Sequence, residues 1–168
     1  MHNVTEYLSN DHDRLDGLLQ LTLTPSGEIN EEAYHQFRQG LLRHIGIEEK
    51  ILIPALQSRL DETMKQTLER IRMDHSAIVA LLVPPPSSDI ISALKSILSK
   101  HNELEEANGG FYECADLTEA ESTPHLTERI KNFPEVKLLP NNPDPKVFDA
   151  TRRALARAGY DPEKYLPM

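Results

Sequence analysis

Six residues of this 168-residue chain are of the types, and at the spacings, that bind cations. His44 and Glu48 lie four positions apart, and so do His101 and Glu105. On a helix, positions i and i+4 stack on one face, so each pair offers an imidazole nitrogen and a carboxylate oxygen to the same ion. Phe37, Leu41, Ile47, Ile51 and Leu52 share the stripe of the first pair, with the small Ala55 continuing it, and a stripe that apolar faces a core. Ionisable groups buried there are costly unless they are paired or metal-bound.

Two further histidines complete an internal repeat. Asp11-His12 opens DHDRLDGLL and Asp74-His75 opens DHSAIVALL, both reading Asp-His-x-x-apolar-x-x-Leu-Leu. His44 opens HIGIEE and His101 opens HNELEE, both reading His-x-x-apolar-Glu-Glu. Each half of the chain thus supplies one His from its first helix, and a His with a Glu from its second.

Four helices must position these groups. Helical spacing predicts the first over residues 4–21, broken by Pro25 and Gly27. The second starts at Asn30 as N-cap and runs to residue 60, with Pro54 expected to kink or locally break it. The third runs from Asp61 to just before Pro84. PPPSS makes the next connection, Ser88 is the expected N-cap of the fourth helix, and Gly109 and Gly110 end it. Short connections make sequential neighbours antiparallel, so an all-α, up-down-up-down four-helix bundle is expected. His44 and His75 lie about fifteen residues on either side of the second turn, so at roughly 1.5 Å per residue they reach the same level. His12, His44, His75, His101, Glu48 and Glu105 can therefore meet in one layer. Such a set suits Fe, Mn, Zn or Cu by ligand type, and six ligands exceed the needs of one tetrahedral zinc. Two cations, each with two His and sharing two carboxylates, use all six.

The order His, His-x-x-x-Glu, His, His-x-x-x-Glu resembles the hemerythrin-like family, the HHE cation-binding domain, over roughly residues 4–115. The paired Glu-Glu after each second His and the ILIPAL run after the first sharpen the likeness. The resemblance implies a left-handed four-helix bundle around an oxo- or hydroxo-bridged non-haem di-iron centre. His12 and His44 would bind one Fe ion, His75 and His101 the other, and Glu48 and Glu105 would bridge them. In hemerythrins proper such a centre binds O2 reversibly. Two positions depart from those carriers. Val79 stands where a further His follows the third ligand by one turn, and Glu106 stands where an Asp bridges. The resulting centre is expected to be more open and more symmetric, suited to peroxide, nitric oxide or inner-sphere redox chemistry. The ligand set is also similar to that of the di-iron domain of iron–sulfur cluster repair proteins of nitrosative stress. The expected function is a metal-binding protein that binds or senses O2, nitric oxide or iron. The alternative is an enzyme acting on peroxide or nitric oxide, or an iron donor in cluster repair.

Composition excludes other classes. A formal net charge of -9 argues against a nucleic-acid binder, which needs a basic face. No apolar run is long enough for a bilayer and no signal peptide is visible. The single cysteine, Cys114, forbids an intrachain disulfide and suits a reducing, cytoplasmic setting. The bundle is expected over residues 1–116, with an extension over 117–168 that packs on it or pairs two chains as a homodimer. Seven of the twelve prolines lie after residue 117, so the extension has one clear helical pattern, VFDATRRALARAGY, closed by Gly159. NFPEVKLLPNNPDP before it reads as irregular. Asp11, Glu49, Asp74 and Glu106 flank the candidate ligands and are expected in solvent or behind them. Tyr7 and Tyr112 are within possible reach of the site, since phenolates bind iron in some di-iron proteins, but packing in the core is expected for both. His2, His35 and His125 are expected at the surface, Cys114 too far away to ligate, and Arg152, Arg153 and Arg157 on a solvated face.

Overall fold

A computed structural model describes residues 3–122 and 125–168, the side chains of 119–122 excepted; His2 lies outside this range. Among the described residues the regular structure is helical, apart from an isolated antiparallel bridge between Leu23 and Ile29. Helix α1 (Val4–Thr22) is capped by Asn3, whose side chain accepts from the Glu6 N–H. Helix α2 (Glu31–Ile47) is capped by Asn30, as its sequence predicts. Its axis continues through a π turn (Glu48–Leu52) into α3 (Ile53–Leu56). This turn is how the chain absorbs Pro54. A proline ring in a regular helix presses on the carbonyl four residues back and leaves it without a donor. Here the helix widens instead, and the Ile53 N–H reaches back to the Glu48 carbonyl. Helix α4 (Glu62–Leu81) is capped by Asp61 and α5 (Ser88–Glu106) by Ser87, one residue earlier than expected.

Beyond α5 the chain is more helical than its proline content suggests. Gly109 takes a positive φ of 71° and lets the chain reverse into α6 (Phe111–Ser122). The Asp116 carboxylate accepts from the Val4 N–H at 2.7 Å, from the Thr5 N–H at 3.3 Å and from the Thr5 hydroxyl at 2.5 Å. An anion at the positive end of α1 holds α6 against the first turn of the chain. The short α7 (Leu126–Lys131) follows, and then the irregular stretch, which is strapped to α2. Gln39 donates to the Val136 carbonyl at 3.0 Å, Arg43 to the Phe133 carbonyl at 3.0 Å, and the buried Arg38 to Leu82 and Leu139 carbonyls at 2.8 and 2.7 Å. Helix α8 (Pro145–Arg157) ends as its sequence predicts: Gly159 has φ 89°, with Tyr160 N–H bonded to the Leu155 carbonyl and Gly159 N–H to that of Ala156. Arg152 is not simply solvated; it donates to the Leu166 carbonyl at 2.9 Å and pairs with Glu163 next to the last helix, α9 (Pro162–Tyr165).

The apolar interior falls into two clusters. One gathers Leu15, Leu19, Phe37, Leu41, Ile78, Leu81, Leu94 and Leu98 with Leu155 and Leu166 of the extension. The other gathers Val4, Leu8, Ile47, Ile51, Leu52, Leu68, Ile71, Phe111 and Tyr112. Helices α1, α4 and α5 pass from one cluster to the other at a histidine, His12 between Leu8 and Leu15, His75 between Ile71 and Ile78 and His101 between Leu98 and Leu104, and α2 does so just after His44, between Ile45 and Ile47. The polar layer therefore lies across the middle of the core.

Candidate metal centre

All six residues singled out by the repeat meet in this layer, and all are buried. The Nε2 atoms of the four histidines face the two carboxylates. His12 Nε2 and His101 Nε2 each lie 3.2 Å from Glu105 Oε1, while His44 Nε2 and His75 Nε2 each lie 3.4 Å from Glu48 Oε1. Candidate donor atoms of Glu48, His75, His101 and Glu105 all lie within 4.8 Å of one another, and so do those of His12, His44 and Glu105. Among the described residues these two groups overlap at Glu105.

The outer nitrogens are each faced by a further carboxylate, and the repeat governs these as well. Asp11 Oδ2 meets His44 Nδ1 at 2.8 Å and Asp74 Oδ2 meets His101 Nδ1 at 3.2 Å. Glu49 Oε1 meets His75 Nδ1 at 2.9 Å, and Glu106 Oε2 lies 3.2 Å from His12 Nδ1, out of line for a hydrogen bond. A carboxylate on Nδ1 fixes the tautomer that leaves Nε2 free to ligate and sets the ring's orientation. Asp74 is itself held from outside, accepting from Arg70 and, at 2.6 Å, from the hydroxyl of Tyr160 in the extension.

Among the described residues, four buried atoms of the layer have no hydrogen-bond partner: His12 Nδ1 on its outer side, and His75 Nε2, Glu48 Oε1 and Glu105 Oε2 on its inner side. The three inner atoms converge, with His75 Nε2 3.4 and 3.8 Å from the two oxygens. An unsatisfied buried polar group costs about 1–3 kcal/mol, and a cation among three such atoms would satisfy all of them. On this ground the residues fit a metal.

The charges tell the same story. Burial, then the neighbouring Glu105, pushes the Glu48 carboxyl above its usual range. Burial also opposes ionisation of Glu105, but His101 and hydrogen bonds from its neighbours hold it well below. Burial disfavours the imidazolium of His101, yet Glu105 and Asp74 carry it up to about 9. His12 and His75 are raised in the same way, against burial, by Glu105 first and then by Glu48 and their outer carboxylates. Protons thus stand where positive charge is wanted.

Tyr112, for which core packing was expected, also reaches the site. Its ring is buried in the core as expected, but its hydroxyl enters the layer, 3.0 Å from His12 Nε2 and 3.1 Å from His44 Nε2. It donates towards Glu48 Oε2 at 3.0 Å and Glu105 Oε1 at 3.2 Å. The signal that would have found it is Gly109-Gly110, which turns the chain back so that α6 crosses the end of the layer. Tyr7 stays outside, its hydroxyl 3.3 Å from Arg43. His35 and His125 are exposed and Cys114 is half-buried, as expected. Val79 is exposed and lines a surface groove against α8. A cleft of about 300 Å³ runs between α1, α2 and α5 from Leu19 and Phe37 to His12 and Glu106.

No helix among the described residues is long and apolar enough to cross a membrane. No curated protein and no solved structure matches the chain. The model of the hemerythrin HHE cation-binding domain matches residues 3–119. With that match over most of the chain, and a buried His/Glu cluster of the kind that holds cations at its centre, the protein belongs to the hemerythrin HHE cation-binding domain family.

Proposed function

We propose that the chain is a non-haem di-iron protein of the hemerythrin type that binds or senses O2, nitric oxide or iron. The observation that carries this reading is the pair of donor groups overlapping at Glu105. His12 and His44 would hold one iron and His75 and His101 the other, with Glu48 and Glu105 between them. A bound pair of irons supplies a redox-active Lewis acid for a small ligand. The chain's own residues do the rest. Asp11, Glu49, Asp74 and Glu106 aim the imidazoles, and the two apolar clusters limit water at the layer. In this reading α1, α2, α4 and α5 form an up-down-up-down antiparallel bundle, supported by the packing of α1 on α2, of α4 on α5 and of α1 on α5.

A second reading, turnover of peroxide or nitric oxide or donation of iron, is favoured by the unpartnered atoms around His75 and by the cleft that reaches His12. Stopped-flow mixing of the iron-loaded protein with excess peroxide separates the two. A binding protein reacts once and stops; an enzyme continues until peroxide is consumed. Partners in either case are small molecules. A cytoplasmic setting belongs to the same proposal, supported by the single, unpaired Cys114, as does a homodimer.

A further inference from the structure

The hydroxyl of Tyr112 stands where a ligand would. His12 Nε2, Glu105 Oε1 and the Tyr112 hydroxyl form a triangle with edges of 3.0, 3.2 and 3.2 Å. A six-coordinate cation with bonds of about 2.0–2.2 Å places neighbouring donors about 3 Å apart. The triangle therefore has the size of one face of such a coordination shell. His44 Nε2 at 3.1 Å and Glu48 Oε2 at 3.0 Å from the same hydroxyl extend it. Donor atoms of His12, His44 and Glu105 lie within 4.8 Å of one another, so the hydroxyl sits above that group rather than between opposed members. It is also firmly placed. Its ring is wholly buried, and Asp116, one turn further along α6, is bonded to the start of α1.

We propose that Tyr112 is a metal ligand, bound through its phenolate oxygen on the side of His12 and His44. The inference rests on the metal centre proposed above. On binding, the phenol O–H bond breaks, its proton passes to solvent and the oxygen lone pair makes the bond to the cation, with no change of oxidation state. The consequence is asymmetry. The His12–His44 side gains a protein donor, while on the other side the inner nitrogen of His75 has no hydrogen-bond partner. The position open to an incoming small molecule is then on the His75–His101 side.

Ferric protein tests this by its spectrum. Iron-loaded wild-type protein is expected to show a visible tyrosinate-to-iron charge-transfer band, with tyrosine ring modes enhanced in resonance Raman. Y112F is expected to lose both while still binding iron at His75 and His101. Y7F, which alters the phenol beside Arg43, is expected to keep both. Iron bound by the wild type without tyrosinate modes would overturn the inference while sparing the metal centre, and so would modes that survive in Y112F. Absence of bound iron would remove both readings together. If Y112F fails to fold, the wild-type Raman spectrum and Y7F decide the matter.

Discussion

Each imidazole in the layer has two faces of different purpose. The inner nitrogen meets Glu48 or Glu105, and the outer nitrogen meets Asp11, Glu49, Asp74 or Glu106. Loss of an outer partner typically costs 10–100-fold in metal affinity. Asp11→Ala is therefore expected to weaken metal binding by about 10–100-fold in competition with a chelator, whereas Asp13→Ala, on an exposed position of the same helix, should leave it unchanged. Protonation gives a second expectation at this scale. In protein stripped of metal, His101 titrates at about 9 against an ordinary 6.5. A folded value above the unfolded one stabilises fully below pH 6.5, and that stabilisation is lost as pH rises through about 9. The melting temperature of stripped protein should fall across this window, and a flat profile would contradict the assigned charges. The six inner residues were legible because the repeat spells them twice. Their outer partners were legible only as neighbours in sequence, since spacing does not say which imidazole a flanking carboxylate reaches. Tyr112 was legible as one of two tyrosines within possible reach, but spacing did not separate it from Tyr7, because the reversal at Gly109 is what brings its hydroxyl back.

At the scale of elements, four of the helices follow from apolar spacing and from caps at Asn3, Asn30, Asp61 and Ser87. Pro54 signals a disturbance in the helix predicted over residues 30–60, but not its form. The π turn it induces begins at Glu48, so the widened stretch carries one of the two inner carboxylates. The irregular stretch around Val136 to Asn141 was legible as irregular but not as attached. It lacks a ladder for its carbonyls, and Arg38, Gln39 and Arg43 of α2 supply the donors. Arg38→Ala removes two hydrogen bonds from a buried charged group, each worth about 1.5–3 kcal/mol. The expected loss is about 3–6 kcal/mol in urea unfolding, with faster amide exchange over residues 133–142. Unchanged exchange there would mean that the strap is held by something else. The extension also touches the polar layer, through Tyr160 on Asp74 and Asp74 on His101.

On the scale of the molecule, an ionic layer separates two apolar clusters, and the cost of burying it is tolerable only if its charges are balanced. Protons on the histidines achieve part of this; cations would achieve it without leaving His75 Nε2, Glu48 Oε1 and Glu105 Oε2 unpartnered. The central claim is that the layer is a two-metal centre. Metal content per chain, measured on protein expressed in iron-supplemented medium and on its His75→Ala variant, tests it most directly. The account predicts two irons per wild-type chain and loss of the complement in the variant. A single metal per chain, a population led by zinc, or a content indifferent to His75 would contradict it.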